Sequence, residues 1–385
     1  MNRPRLLAGR LALVLAACWA IVTVETAPQI VAPASMPSSL TSAQFWKLSG
    51  DLSEPAGYFR SENLVSNEHT YQYVIPELVK QTRPGGVYLG VAPDQNFTYM
   101  AAVRPRMAFI LDIRRGNLLQ HLLYKAVFEL SPDRASFVSM LFSKPRPAGL
   151  KTTSTVFELF SAYARVATSD EHYRRNLAAI VSHLTRRHGF TLSADDLEQL
   201  ETIYFAFFWE GPGLRYSTMA SGISRGRAGF GNTYPTYEDM ITQTDWDNSP
   251  RSYLATEDNY RFIKGLEEKN LIVPVMGDFA GAKALRAVGR YVRERGSVVS
   301  AFYVSNVEQY LFQDGKFDAF ARNVATLPID ARSTFIRSVS SRFGYGGTMT
   351  WADGRASALY PIDAFDRDFR LGMLTSYFDL NSRSR

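Results

Sequence analysis

The residues best suited to chemistry in this sequence are polar ones that follow its apolar segments. Asp112 ends the run Met107–Asp112 and lies 22 residues after Gly90, which belongs to an earlier apolar run. In nucleotide-binding βαβ units, an acidic residue about 20 residues beyond the glycine turn binds the ribose hydroxyls. A carboxylate suits this task because it accepts hydrogen bonds from two hydroxyls at once. The spacing therefore predicts a nucleotide-binding site.

The segment that contains these residues has the pattern strand, turn, helix, strand. Gly86–Ala92 is short, apolar and rich in β-forming residues, and Pro93 ends it. Asn96–Val103 suits a short helix. Met107–Asp112 is a second continuous apolar run, which is typical of a strand covered on both faces in a parallel sheet.

The same alternation of strands and helices resumes later in the chain. Leu271–Asp278 has the pattern of a third strand and ends in Gly277 and Asp278, and Val298–Asn306 that of a fourth. Further elements are expected as helices at Ala280–Arg295 and Phe317–Ala325, a strand at Ser333–Val339 and an edge strand at Tyr377–Leu380. This alternation predicts the α/β class, with a doubly wound and mostly parallel sheet.

The region between the second and third strands is expected to be mainly helical. Helical periodicity, caps and proline positions predict helices there at Leu118–Leu130, Asp133–Phe142, Thr155–Val166, Glu171–Arg187, Ser193–Phe208 and Glu257–Lys269. Another helix is expected before the first strand, at Asn67–Gln81. Residues 145–259 therefore form a helical insertion that could cover the carboxyl edge of the sheet, where such folds bind ligands. The Rossmann-like domain would then consist of residues 43–144 and 260–385.

The four strand ends together resemble the landmarks of class I S-adenosylmethionine-dependent methyltransferases. They are Gly90, Asp112, Gly277 with Asp278, and the Ser305–Glu308 loop. The resemblance implies that Asp112 holds the ribose and Asp278 the adenine amine of S-adenosylmethionine. It also implies that Asn306 or Glu308 faces the substrate. The stretch from Gly86 to Asn117 further resembles an uncharacterised bacterial family of methyltransferase-like architecture.

The loop after the first strand departs from the methyltransferase pattern. Val91, Ala92 and Pro93 occupy positions where further glycines would let the backbone approach the cofactor. The carboxylate of Asp94 would repel a phosphate group. This argues against NAD and FAD, which carry phosphates, more than against S-adenosylmethionine, whose sulfonium is positively charged. The alternative is a Rossmann-like sheet whose cofactor site has decayed or has been reassigned.

Other motifs carry weaker signals. Gly222–Gly226 matches the Gly-x-Ser-x-Gly nucleophile elbow but lacks the preceding strand and following helix, so a chance match is favoured. Ser224–Tyr237 could be a mobile lid or a connecting loop. Arg114 and Arg115 could bind an anion or could simply be solvated at the start of a helix.

The five histidines show no metal-ligand spacing, and the sequence assigns no metal ligand. His183 and His188 are five residues apart, which places them on different faces of an α-helix. His188, near a helix C-terminus, is explained by a favourable interaction with the helix dipole. His121 is the one histidine near the proposed cleft, and a core or surface position is favoured over catalysis.

Residues 1–27 are expected to form a signal peptide or a membrane anchor. Arg3, Arg5 and Arg10 precede the apolar run Leu11–Val24, which is too short to span a bilayer comfortably. Cys18, the single cysteine, ends a tetrapeptide that resembles a bacterial lipobox, so lipidation is an alternative to an ordinary signal peptide. Residues 28–42 are rich in Pro, Ala and Ser and form a flexible linker.

Two functions fit these observations. The first is an exported or membrane-attached, methyltransferase-like enzyme that acts on a small or lipid-linked substrate. The second is a non-catalytic binding or scaffolding protein of the cell envelope with the same architecture. The net charge of +6 is thinly spread, and no Lys/Arg run is dense enough to predict nucleic-acid binding.

Overall fold

A six-stranded sheet lies at the centre of the protein. The computed structural model describes residues 35–59, 63–216, 234–340 and 355–384. The strands in these residues are β1 (Val87–Gly90), β2 (Met107–Asp112), β3 (Ile272–Met276), β4 (Val299–Ser305), β5 (Thr334–Ser340) and β6 (Arg355–Pro361). Their order is β3-β2-β1-β4-β5-β6; the first five run parallel, and β6 is antiparallel to β5. The predicted α/β class with a mostly parallel sheet is confirmed.

Helices connect and cover these strands. In the described residues they are α1 (Ser42–Leu52), α2 (Ile75–Gln81), α3 (Gln95–Val103), α4 (Arg115–Leu130), α5 (Arg134–Leu141), α6 (Val156–Ala164), α7 (Asp170–Ser182), α8 (Ala194–Glu210), α9 (Tyr237–Thr242), α10 (Glu257–Glu268), α11 (Ala284–Glu294), α12 (Val307–Gln313), α13 (Phe317–Val324), α14 (Ile362–Arg370) and α15 (Tyr377–Arg383). A π-helical turn, His183–Arg187, follows α7. Helices α4 to α10 lie between β2 and β3 in the chain.

The strands form where the sequence has continuous apolar runs. All residues of β1 and β2 are buried, as expected for strands with helices on both faces. Pro274 lies in β3, the edge strand of the sheet. Proline lacks a backbone N–H, and an edge strand tolerates this because it has no neighbouring strand on its outer side. Helix α1 covers this edge, and Ser49 Oγ donates a hydrogen bond of 2.5 Å to the Pro274 carbonyl.

The order of the strands reverses beside β1. The chain moves outward from β1 to β3 and then crosses over to β4 on the other side of β1. Helices α3, α4 and α10 pack together, as do α11 and α13. Right-handed crossovers in opposite directions place these two groups on opposite faces of the sheet. The carboxyl ends of β1 and β4 therefore adjoin where the connections diverge.

Two local predictions are wrong, and one strand was not predicted. Tyr377–Leu380 belongs to helix α15, because Ser376 and Asp379 form a capping box that starts a helix there. The edge strand is instead β6, which the sequence analysis missed. The helix expected at Asn67–Gln81 begins only at Ile75, with Pro76 in its first turn, a position that proline favours.

The prediction that His183 and His188 lie on different faces of a helix is also wrong. The turn between them is π-helical, and the backbone N–H of His188 donates to the carbonyl of His183 at 3.0 Å. This i→i+5 bond brings the two residues together, and their ring centroids are 4.9 Å apart. A sequence pattern that assumes α-helical geometry cannot detect such a turn.

A buried ion pair attaches the C-terminal helix to the sheet. Arg337 Nε of β5 lies 2.5 Å from Glu308 Oε2 of α12, and both side chains are completely buried. Arg337 Nη1 also donates a hydrogen bond of 3.0 Å to the carbonyl of Leu380 in α15. Because the guanidinium has no access to water, it needs the Glu308 carboxylate as a counter-ion to be stable in the protein interior.

Replacing Glu308 by glutamine should strongly destabilise the protein. Glu308→Gln leaves the Arg337 charge buried without its counter-ion, so we expect a loss of roughly 3 to 5 kcal/mol in the free energy of unfolding. Urea denaturation measures it. The control Asp318→Asn breaks the exposed pair with Arg322 and should cost less than about 1 kcal/mol. Equal losses in the two variants would contradict the dependence of Arg337 on Glu308.

Candidate functional site

A cavity of about 320 Å³ lies at the carboxyl edge of the sheet. The loops that follow β1, β2, β3 and β4 contribute to its wall. Asp112, Asp278 and Asn306, which the sequence analysis assigned to one site, all line it, as does Gly277. Gly90 and Glu308 are not among the described residues in this wall. The structure thus brings together four of the six predicted positions.

The Asp112 carboxylate is engaged by Arg114. Asp112 Oδ1 accepts hydrogen bonds from the backbone N–H of Arg114 at 3.0 Å and from its Nε at 2.9 Å. Oδ2 accepts a third from Nη2 at 2.8 Å. Both side chains are more than nine-tenths buried. The pair therefore forms a rigid part of the cavity wall, and Asp112 does not project as a free carboxylate.

Asp278 is held by its own turn and by a lysine. Its Oδ1 accepts a hydrogen bond of 2.9 Å from the backbone N–H of Ala280, and Oδ2 lies 3.1 Å from Lys316 Nζ. The hydrogen bond and charge of Asp278 raise the pKa of Lys316. About a quarter of the Asp278 side chain is exposed, so its carboxylate is more accessible to a ligand than that of Asp112.

The two predicted glycines serve packing. A Cβ on Gly90 would lie 1.9 Å from Asn96 Oδ1, and one on Gly277 would lie 2.2 Å from the Cβ of Ala284. Asn96 Nδ2 donates to the carbonyls of Val91, Ala92 and Pro93 and so organises the loop after β1. Gly90 therefore makes room for the Asn96 side chain, and Gly277 allows close approach of α11.

Two residues in the cavity wall have strained backbone conformations. Ala92, after β1, has φ +65°, and Ser305, at the end of β4, has φ +49°. This left-handed region costs a non-glycine residue about 1 to 2 kcal/mol. Both residues lie at the ends of the adjoining strands β1 and β4. The strain is thus concentrated where the strand order reverses.

A buried carboxylate that the sequence analysis missed organises the wall from behind. Glu68 is completely buried. Its Oε1 accepts hydrogen bonds from Tyr303 at 2.8 Å and Ser305 at 2.9 Å. Its Oε2 accepts from Ser357 at 2.8 Å and Gln95 at 3.2 Å. These donors come from β4, β6 and α3, so no local pattern around Glu68 could have indicated the network.

Asp94 is a second buried carboxyl group next to the wall. Its side chain is 4% exposed, and burial raises its pKa to about 7. Burial raises the pKa values of four nearby tyrosines, and the Asp94 charge raises them further; they are Tyr71, Tyr124, Tyr237 and Tyr253. Near neutral pH the Asp94 carboxyl is therefore partly protonated.

His121 and Arg115 have structural partners. His121 is buried, and burial lowers its pKa to about 4, so its neutral ring donates from Nε2 to the Ala92 carbonyl at 3.0 Å. Arg115 forms a bidentate ion pair with Asp196 of α8, with both N···O distances 2.8 Å. His121 supports the loop after β1, and Arg115 fastens the inserted helices to α4.

Several predicted features lie outside the described residues. These are the N-terminal segment with Cys18, the Gly222–Gly226 motif and most of the loop from Ser224 to Tyr237. Tyr216, which lines the cavity, is the last described residue before that loop. Among the described helices, none combines the length and apolar character needed to cross a bilayer.

Comparison with known families identifies the chain. Residues 63–194 and 228–364 match the model of the DUF7790 family, described as a domain of unknown function. The chain belongs to this family. The two matched segments contain all six described strands and the strand ends around the cavity. No curated protein matches the chain in sequence.

Asp94 should make the stability of the protein depend on pH. Because the folded pKa of about 7 exceeds the usual 3.8, the folded state binds more protons between these values. Stability should therefore fall as the pH rises through this window. Other buried carboxyl groups with raised pKa values, such as Glu267, add to this fall, so Asp94→Asn should reduce it by the Asp94 share, roughly 4 kcal/mol at most between about pH 4 and pH 8. Thermal and urea unfolding across this range provide the measurement.

The exposed Asp318→Asn variant is the control, and its stability should parallel that of the wild type at every pH. If Asp94→Asn also gave a curve parallel to the wild type, burial would not raise the pKa of Asp94 as described.

Proposed function

We propose that this DUF7790 protein is Rossmann-like and methyltransferase-like, and that its edge cavity binds a small molecule with a nucleoside part. S-adenosylmethionine is the first candidate ligand. The observation that carries the proposal is the convergence of Asp112, Asp278 and Asn306, from three separate strand ends, on one cavity. The cavity lies where the strand order reverses, which is the ligand site of open α/β sheets.

The positions of Asp112 and Asp278 fit S-adenosylmethionine. Their capacity to accept hydrogen bonds from it is only partly available, because internal partners already use some of their acceptor sites. By resemblance, Asp278 would hold the adenine amine, and its partly exposed carboxylate supports this role. Asp112 would hold the ribose. A carboxylate has about four acceptor sites, and Arg114 uses three of them, so a single ribose hydroxyl could be accepted. The bound group would supply an activated methyl; we assign no catalytic residue and no transfer step.

A second candidate function is binding without catalysis. Two observations favour it. Arg114 engages the Asp112 carboxylate, and the Asn96 side chain fills the space beside Gly90. In the methyltransferase pattern, both the carboxylate and this space are left to the cofactor. Such a protein would bind a small or lipid-linked ligand in the cell envelope, attached or exported through its N-terminal segment. Since S-adenosylmethionine is a cytoplasmic metabolite, a cleaved signal peptide would support this second function.

Calorimetric titration of the full chain with S-adenosylhomocysteine tests the first proposal. We expect saturable binding that weakens by at least about tenfold in Asp278→Ala, because a charge-assisted hydrogen bond to the adenine is lost. Asp318→Ala, on the exposed surface of α13, should bind like the wild type.

The outcomes separate the two candidates. A flat titration with both S-adenosylhomocysteine and S-adenosylmethionine would reject the cofactor and favour the binding protein. Binding that is insensitive to Asp278→Ala would reject the edge cavity as the site.

A further inference from the structure

Three side chains with metal-ligating atoms converge far from the edge cavity. Glu129 lies near the end of α4, His183 begins the π-helical turn, and His188 follows that turn. Both histidine Nε2 atoms approach the same carboxylate oxygen, Glu129 Oε2, at 2.6 Å for His183 and 2.7 Å for His188. All three ligating atoms lie within 4.8 Å of one another.

The π-helical turn is the reason for this convergence. An α-helical continuation of α7 would direct residues 183 and 188 to different sides. The i→i+5 hydrogen bond from His188 to His183 brings their rings together in an edge-to-face contact, and both rings then reach α4. Such turns are rare and often occur at functional sites. This backbone feature is independent of the side-chain cluster and points to the same three residues.

We propose that Glu129, His183 and His188 form a binding site for a divalent transition metal ion, with Zn²⁺ as the best match. Two imidazoles and one carboxylate are a recurrent ligand set for this ion, with a water in the fourth position. The three side chains are 8% to 15% exposed, which leaves access for the ion and the water. At metal–ligand distances near 2.1 Å, neighbouring tetrahedral ligand atoms lie about 3.4 Å apart. Glu129 Oε2 is now 2.6 and 2.7 Å from the two nitrogens, so it would move back by less than about 1 Å.

Neighbouring side chains hold the proposed ligands in orientation. Ser42 Oγ of α1 lies 2.8 Å from His188 Nδ1, so it can hold the ring with Nε2 directed at the ion. Phe190 stacks on the His188 ring at a centroid distance of 4.9 Å. Lys125 Nζ lies 2.6 Å from the other Glu129 oxygen, Oε1, and leaves Oε2 for the metal.

The positive charge of Lys125 would repel a metal ion bound nearby. Besides Glu129, a second carboxyl group, that of Glu267, lies close to this lysine. Lys125 Nζ also lies 3.8 Å from Glu267 Oε2. Burial raises the pKa of Glu267 to about 8, so this second carboxylate offsets the lysine charge more fully as the pH rises through that value.

The site is separate from the edge cavity. Helix α4 begins at Arg115, beside the cavity, and Glu129 lies 14 residues later, which corresponds to about 21 Å along the helix axis. A metal ion here would connect α1, α4 and the segment after α7. Its role would be to stabilise the contact between the inserted helices and α4.

The test is calorimetric titration of the full chain, without a histidine tag, with ZnCl₂ after treatment with EDTA. We expect one saturable site per chain and a higher melting temperature with Zn²⁺. His183→Gln and His188→Gln should each weaken binding by more than about tenfold. Co²⁺ should give a visible absorption spectrum that both variants lose.

The matched control is His172→Gln, in α7, whose Nδ1 contacts Ser169 at 3.2 Å and lies outside the cluster; it should bind Zn²⁺ like the wild type. Far-UV circular dichroism checks that each variant is folded. If a variant fails to fold, the titration of the wild type still shows whether the protein binds Zn²⁺ at one saturable site. No saturable heat and no change in melting temperature would overturn the proposal, and so would undiminished binding by folded His183→Gln and His188→Gln.

Discussion

The common direction of strands β1 to β5 is the constraint on which the candidate site depends. Parallel strands place all their carboxyl ends at one edge of the sheet, whatever the distance between them in the chain. Beside β1 the order reverses, and the connections leave toward opposite faces. A gap between the strand ends follows from this topology, and the cavity of about 320 Å³ occupies it.

The polar groups around this cavity are held in place by internal partners. Glu68 receives four hydrogen bonds from three different elements, and Arg114 clamps Asp112. Buried networks of this kind are rigid because each broken bond would leave a polar group without water or partner. A ligand would therefore meet a preformed wall, in which Asp278 is more exposed than Asp112.

Helix α4 links the sheet to the inserted helices at both of its ends. At its start, Arg115 pairs with Asp196 of α8. Near its end, Glu129 contacts His183 and His188 after α7. The insertion between β2 and β3 is therefore attached to the helix that follows β2 at two separated points. Two such attachments restrain its orientation more strongly than a single contact could.

The sequence by itself determined the class of the fold, the strands β1 to β5 and the convergence of Asp112, Asp278 and Asn306, because buried parallel strands leave continuous apolar runs bounded by turn residues. It did not reveal β6, the start of α15, or the π-helical turn that unites His183 and His188. Only the tertiary structure decided that Arg114 engages Asp112, that Asn96 fills the space beside Gly90, and that Glu308 is buried against Arg337. Side-chain partners distant in the chain are set by packing, which has no local signature.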